Sequence, residues 1–323
     1  MEPDSGRLKL LDQFVVPNGS PPSLISMPMA HSPDRRFLYI ALRSKPYSVA
    51  SFRIDPSSGK LTYLGASPLV GNYCYIATDR TGGFLFAASY QHMRYSVSPI
   101  DPSGVVQAPR SVVIADGNMH CVLPDPSNRY VFVAKLSSDV IVQLRFDAAT
   151  GVLKDNEPSS ASAPAKSGPR HFAFHPNGRF LYLLNETAAS ICVFRFDAAS
   201  GGLTRLDTVS ALPGEIGEQP FAADIHLTPD GRFLYASVRK SSTLAAFAVD
   251  AGSGRLSLIG HYPTEKKPRA FAIDPSGRFL FAAGQLSDGI TQYRIDAATG
   301  ELAPLERYQM GKNPGWIEFV SLP

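Results

Sequence analysis

Short apolar runs alternate with small polar turns along this chain, and one cassette of them returns six times. In the clearest copy, residues 168–186 (GPRHFAFHPNGRFLYLLNE), apolar and polar positions alternate from His171 to His175. A Pro-Asn-Gly turn follows at 176–178, and a second apolar run goes from Phe180 to Leu184, ending on Asn185 and Glu186. Alternation with period two marks a half-buried strand, and a short continuous apolar run bounded by turn residues marks a fully buried one. Asn and Gly between them predict a tight hairpin with positive φ.

An aromatic anchor, Phe180 in that copy, recurs as Phe37, Phe84, Tyr130, Phe233 and Phe279, at intervals of 46 to 53 residues. A second landmark keeps step with it, an Asp-to-Gly turn beginning at Asp55, Asp101, Asp147, Asp197, Asp250 and Asp296. Two unrelated turn signals in phase make each repeat one four-stranded antiparallel unit, and the predicted fold is an all-β propeller. Residues 1–323 are then a single domain, because length counts blades and not domains.

The repeat also makes a prediction about closure. One interval beyond Phe279 passes the end of the sequence, and one interval before Phe37 precedes its start. Yet Asp4-Ser5-Gly6-Arg7-Leu8 matches the turn at 57–61, so 8–16 is predicted as a fourth strand and 314–320 as a first strand. The expectation is seven blades, the seventh closed by both termini and lacking its second and third strands. An upstream start is the preferred explanation, since such a gap leaves strand edges exposed. Segments 156–167 and 212–219 are predicted as interblade loops.

Composition narrows the partners. With 44% hydrophobic and 18% charged residues the chain is globular and poor in solvated helix. A formal charge of +3, scattered without a basic run, argues against nucleic acid and against an anionic membrane as partner. Cys74, Cys121 and Cys192 sit in or beside apolar strands without metal-like spacing and read as buried free thiols in a reducing compartment. The N-terminus is acidic where a signal peptide is basic, and no apolar run is long enough to span a membrane, so a cytoplasmic location is expected. No cofactor and no metal is expected: the chain has no GxSxG, no Gly-rich phosphate loop, no HExxH and no CxxC.

Counting from the anchors locates the candidate chemistry. Ten residues before them stand Met27, Cys74, His120, Arg170, Ala223 and Arg269; six after them stand Arg43, Tyr90, Leu136, Glu186, Arg239 and Gln285, with Lys135 beside Leu136. In an antiparallel blade both positions fall at the same edge, so stacked blades gather them into one mouth. The simplest reading is a cationic pocket with one carboxylate. Structural roles stand beside it: an ion pair for any one arginine, a holding role for Glu186 against Arg170, a satisfied ring for His120 beside Cys121. Asp224 and His226, two apart, share a strand face and could bind or simply bond each other. His175 and turns such as Asp230-Gly231-Arg232 are read as structural.

The stretches GPRHFAFHPNGRFLYLLNE, FAADIHLTPDGRFLYASVR and KPRAFAIDPSGRFLFAAGQ, with the terminal NPGW, resemble the seven-bladed propeller lactonases of the bacterial 6-phosphogluconolactonase type. A related branch, the muconate lactonizing enzymes, looks similar in the same places. Its active His, two Arg and Glu would fall here on His120, Arg170, Arg239 and Glu186. The resemblance implies hydrolysis of 6-phosphoglucono-δ-lactone in the pentose phosphate pathway by a monomer or weak homo-oligomer, with a sugar lactone as its only partner. Glu186, Arg170 and His120 are then the catalytic candidates, with Glu186 or His120 as the base. Arg239, Arg269, Arg43, Lys135, Gln285 and His171 are the substrate-binding candidates. A lactonase for an unphosphorylated carboxylate and a non-catalytic binding scaffold are the alternatives.

Overall fold

The computed structural model describes residues 1–13, 15–17 and 26–322. Within them lie six four-stranded antiparallel sheets, the blades of an all-β propeller fold, each built from four consecutive strands paired in chain order. The fourth blade has the strands Pro169–Phe174, Phe180–Asn185, Ser190–Asp197 and Gly202–Ser210. Every aromatic anchor opens a second strand, as at Phe37–Leu42, Phe84–Ser89, Tyr130–Lys135, Phe233–Val238 and Phe279–Gly284. These second strands are buried almost throughout, which is why they read as continuous apolar runs.

The chain divides into two compact units. One comprises Leu10–Ser160 with Val320–Pro323, the other Met1–Lys9 with Ala161–Phe319. Each terminal peptide therefore packs with the unit at the far end of the sequence. Within each unit the anchor ring of one blade lies against the glycine that ends the Asp-to-Gly turn of the next. Phe37 meets Gly104 and Phe84 meets Gly151 in the first unit, and Phe180 meets Gly254 and Phe233 meets Gly300 in the second. A Cβ at Gly254 would stand 2.5 Å from the Phe180 ring, and the φ of +78° there is one that a side chain disfavours. The two landmarks keep step because they touch.

Gly6 repeats this arrangement against Phe279, and Ser5 O accepts a 2.9 Å hydrogen bond from Gln292 Nε2, so the turn at 4–8 is formed as predicted. The strands expected to follow and to close a seventh blade are not. Among the described residues of 8–16 and 314–320 none is in a paired strand, and Phe14 lies outside the described residues. Leu8, Ile317 and Phe319 instead cover the cluster of Phe279, Phe281 and Ile290 as irregular backbone. A strand is defined by its ladder, and the second and third strands that would carry that ladder are not among the described residues.

Two further expectations change. Segment 156–167 is not a loop from its start, because Val152–Ser162 is the fourth strand of the third blade. That strand lies at the edge of its sheet and is mostly exposed, which admits serines and Pro158. At 176–178 only Gly178 has positive φ, +70°. Asn177 serves through its side chain, whose Oδ1 accepts the Arg179 N–H at 2.9 Å. Segment 212–219 has no strand, as expected, and the three cysteines are buried thiols outside any disulfide. No helix among the described residues is long and apolar enough to cross a membrane.

Candidate active site

The first strands of blades four, five and six begin with a break in register. Pro169 pairs with Asn185 and His171 with Leu184, so Arg170 is the extra residue of a bulge. Arg269 is the extra residue between Pro268 and Ala270, and Ala223 with Asp224 falls between Ala222 and Ile225. His120 occupies the equivalent break in the third blade. A bulge bends its strand and re-aims a side chain that strict alternation would send to one face. The position ten before each anchor is thus special for a backbone reason, and neighbours such as Arg170 and His171 both reach polar partners.

Glu186 sits at the end of its blade's second strand with both carboxylate oxygens engaged. Oε2 accepts from Arg170 Nε at 2.8 Å and Oε1 from Arg239 Nη2 at 2.6 Å. Arg170 is only 1% exposed and also donates to the carbonyl of Ala223. Arg239 is fixed from a second side, donating from Nε to Phe221 O at 2.8 Å while its guanidinium lies 5.4 Å from the centre of the Phe221 ring. Burial works to raise the pKa of Glu186, but the charges of Arg170, Arg239 and Arg269 outweigh it and hold the carboxyl below its ordinary value. Glu186 is an anion at neutral pH, set among three cations. His175 is structural, its Nδ1 accepting the Asn177 N–H at 3.1 Å.

Beside Arg170, a second polar group centres on Asp224. His171 Nδ1 lies 2.8 Å from Oδ1 and His226 Nε2 lies 3.2 Å from Oδ2, so the internal bond weighed for Asp224 and His226 is made. The amides of Ile225 and Phe271 donate to the same carboxylate at 3.1 and 3.2 Å. Desolvation lowers the pKa of His171 to about 4, with Arg170 adding to the effect against the pull of Asp224. His171 is therefore neutral at pH 7, with its proton on Nδ1 facing the carboxylate. Desolvation acts the same way on His226, but Asp224 and then Glu318 prevail, and its pKa is raised. Trp316, from the irregular C-terminal segment, brings its ring to 6.4 Å from that of His171 and donates from Nε1 to Glu318 at 3.2 Å.

A cavity of about 590 Å³ opens over Glu186 and Arg239. Its remaining walls are Phe221, Lys240 and Ser242 from the fifth blade, Lys266 and Lys267 from the connection into the sixth, and Leu286. Apart from Glu186 and Arg239, none of these was found by counting from the anchors. The signal was present one to three positions further out, since Phe221 and Lys267 stand twelve before Phe233 and Phe279, and Lys240 and Leu286 stand seven after. Arg269 and Gln285 are half-buried in the same unit, and Gln285 N–H donates to Lys267 O at 3.2 Å.

The other three candidates belong to the first unit. Arg43 is 7% exposed and donates from Nε to Asn72 Oδ1 at 2.5 Å. Lys135 pairs with Asp116, and His120 is buried with its ring 6.0 Å from that of Tyr90. Among the described residues no group of three or more His, Cys, Asp or Glu side chains is arranged to hold a metal ion.

Known proteins match this chain over most of its length. A family model described as "Lactonase, 7-bladed beta-propeller" matches residues 1–319. A relative named 6-phosphogluconolactonase from Pectobacterium carotovorum subsp. carotovorum is 42% identical over 269 residues, 83% of this chain and 78% of the relative. Another so named, from Serratia proteamaculans, is 38% identical over 271 residues, 84% of this chain and 79% of its own length. Among solved structures, a periplasmic gluconolactonase of Pseudomonas aeruginosa has a TM-score of 0.86 at 28% identity, over 92% of this chain and 88% of that one. With its repeated blades, its arginine-clasped glutamate and these matches, the chain belongs to the lactonase family of β-propellers.

Proposed function

We propose that the protein hydrolyses 6-phosphoglucono-δ-lactone to 6-phosphogluconate in the cavity over Glu186 and Arg239. The observation that carries this reading is the pairing of an ionised carboxylate with a guanidinium on one cavity wall, in a chain whose relatives are named for that lactone. A lactone is an activated ester, so modest base assistance and stabilisation of the developing charge suffice. Water adds to the lactone carbonyl carbon while Glu186 takes its proton. The carbonyl oxygen becomes an oxyanion facing Arg239. Collapse breaks the bond from that carbon to the ring oxygen, which takes the proton back and leaves as a hydroxyl. Arg170 does not line the cavity, and in this reading it is a positioning residue that fixes Glu186 from behind. His120 is the alternative base. The three buried thiols fit a reducing cytoplasm.

An unphosphorylated sugar lactone is the second reading, supported by the likeness to the Pseudomonas gluconolactonase. Steady-state assays on both lactones decide between them, with Glu186→Gln as the control for the site. The expected result is hydrolysis of the phosphorylated lactone well above its spontaneous rate, and a loss in Glu186→Gln of about 10²- to 10⁴-fold in kcat with the circular dichroism spectrum kept. Wild-type turnover no faster than the spontaneous reaction refutes the proposal. Full activity in Glu186→Gln excludes Glu186 as the base.

A further inference from the structure

The charges around the cavity do not balance, and the excess is localised. Arg239 is held in an ion pair with Glu186, and Lys240 reaches Glu218 at 2.7 Å. Lys266 and Lys267 are exposed, and among the described residues neither is held in an ion pair. Two adjacent ammonium groups are thus left on one wall. A phosphate monoester carries close to two negative charges near neutrality, which is the complement of that excess.

The backbone argues that these lysines are more than solvated surface charges. Lys267 has φ +57°, in the left-handed region, at the register position where the fourth blade has Gly168 with φ +72°. A lysine held where glycine costs nothing is a local strain, and strain of this sort gathers at ligand sites. The surroundings fix it: Lys267 O accepts from the Gln285 amide at 3.2 Å and Lys266 O from the Leu286 amide at 3.2 Å, while the Lys266 amide donates to Ser287 Oγ at 3.1 Å. Phe221, at the same register in the fifth blade, is likewise strained, with φ +54°, and it also faces the cavity.

We infer that Lys266 and Lys267 form the subsite for the substrate's phosphate and set the preference for a phosphorylated over a plain sugar lactone. This rests on the hydrolase reading above and adds the residues that select its substrate. In 6-phosphoglucono-δ-lactone the ring oxygen joins the carbonyl carbon to the ring carbon that carries the phosphorylated CH2 arm. With the carbonyl at Glu186 and Arg239 the phosphate falls to a different wall, and the lysine pair is the uncompensated charge there. Arg239, Arg269, Arg43 and Lys135, the cations expected from sequence to take the phosphate, are left out of this role. Arg239 is engaged with Glu186, Arg269 does not line the cavity, and Arg43 and Lys135 line no part of it and have partners of their own.

The test compares wild type with Lys266→Gln, Lys267→Gly and the double variant on 6-phosphoglucono-δ-lactone and glucono-δ-lactone. Glycine at 267 relieves the backbone while deleting the charge, so folding is not at risk, and Lys267→Arg is the charge-keeping control. The double variant is expected to raise KM for the phosphorylated lactone by at least about 30-fold, the scale of losing charged hydrogen bonds. Its kcat/KM for glucono-δ-lactone stays within about twofold of wild type, and Lys267→Arg retains most of the preference. An unchanged KM for the phosphorylated lactone, or an equal loss on both lactones, overturns the subsite while leaving the hydrolase reading intact. Wild type that turns over neither lactone overturns both.

Discussion

Glu186 and His171 show how residue chemistry here is set by burial and by neighbouring charge together. For Glu186 three guanidinium groups defeat the desolvation penalty, and the carboxylate stays ionised. For His171 desolvation wins, and the ring stays neutral although its partner is a carboxylate. That difference has a consequence for pH. A histidine whose folded pKa is depressed, from 6.5 to about 4, contributes stability that is complete above pH 6.5 and is lost as pH falls toward 4. Urea unfolding between pH 7 and pH 4 is expected to show a loss of up to about 3 kcal/mol from this group, and His171→Asn to flatten that part of the profile. An unaltered slope in the variant shows that folding does not shift the pKa of His171. His226 acts in the opposite sense, its stabilisation present below its ordinary pKa and lost as pH rises through the raised value. Sequence showed that Asp224 and His226 share a face. It could not show which way the pKa of each histidine moves, because that depends on burial beside Phe271 and Trp316 and on the charge of Glu318.

The strands and turns were the most legible level. An aromatic anchor and an Asp-to-Gly turn advancing together implied contact, and the contact is the ring of one blade lying on the glycine of the next. The glycines separate two effects that sequence cannot. Gly254 and Gly178 both have positive φ, +78° and +70°, but a methyl at Gly254 meets the Phe180 ring while one at Gly178 meets nothing within 4 Å. Gly178→Ala is therefore expected to cost about 1–2 kcal/mol from backbone conformation alone. Gly254→Ala is expected to cost about 1–3 kcal/mol more, as an overpacked contact. Equal losses measured by chemical denaturation exclude the packing account. Where strand reading failed, edge position was the reason: Val152–Ser162 is the outermost strand of its sheet and mostly exposed, and Ser and Pro there look like a loop. The bulges at Arg170 and Arg269 leave no mark in composition at all, yet they aim the two arginines.

At the level of the molecule, the ends of the chain exchange places. Residues 1–9 complete the unit of blades four to six, where Tyr308 Oη accepts the Leu8 amide at 3.1 Å and Gln292 binds the carbonyl of Ser5. Val320 packs in the first unit with Leu38, Ile40 and Leu42. Removing residues 1–9 is expected to take from Gln292 Nε2 its acceptor, the Ser5 carbonyl, and to expose the ring of Phe279, costing on the order of 2–4 kcal/mol. Hydrogen exchange should then rise first in the strand Gly289–Ile295; protection there equal to the full chain removes the N-terminal turn from the account of stability. The blade, its repeat, its anchors and the registers at which charge gathers are legible along the chain, because they follow from periodicity and from turn chemistry that act over a few residues. Which of the charges face the cavity is settled by the fold. Counting from the anchors picks out Arg43, Lys135 and Arg170 and passes over Lys267, but the first three are held by Asn72, Asp116 and Glu186, and Lys267 faces the cavity. Pairing and solvent exclusion depend on neighbours brought together from distant parts of the chain, and a one-dimensional count has no term for them.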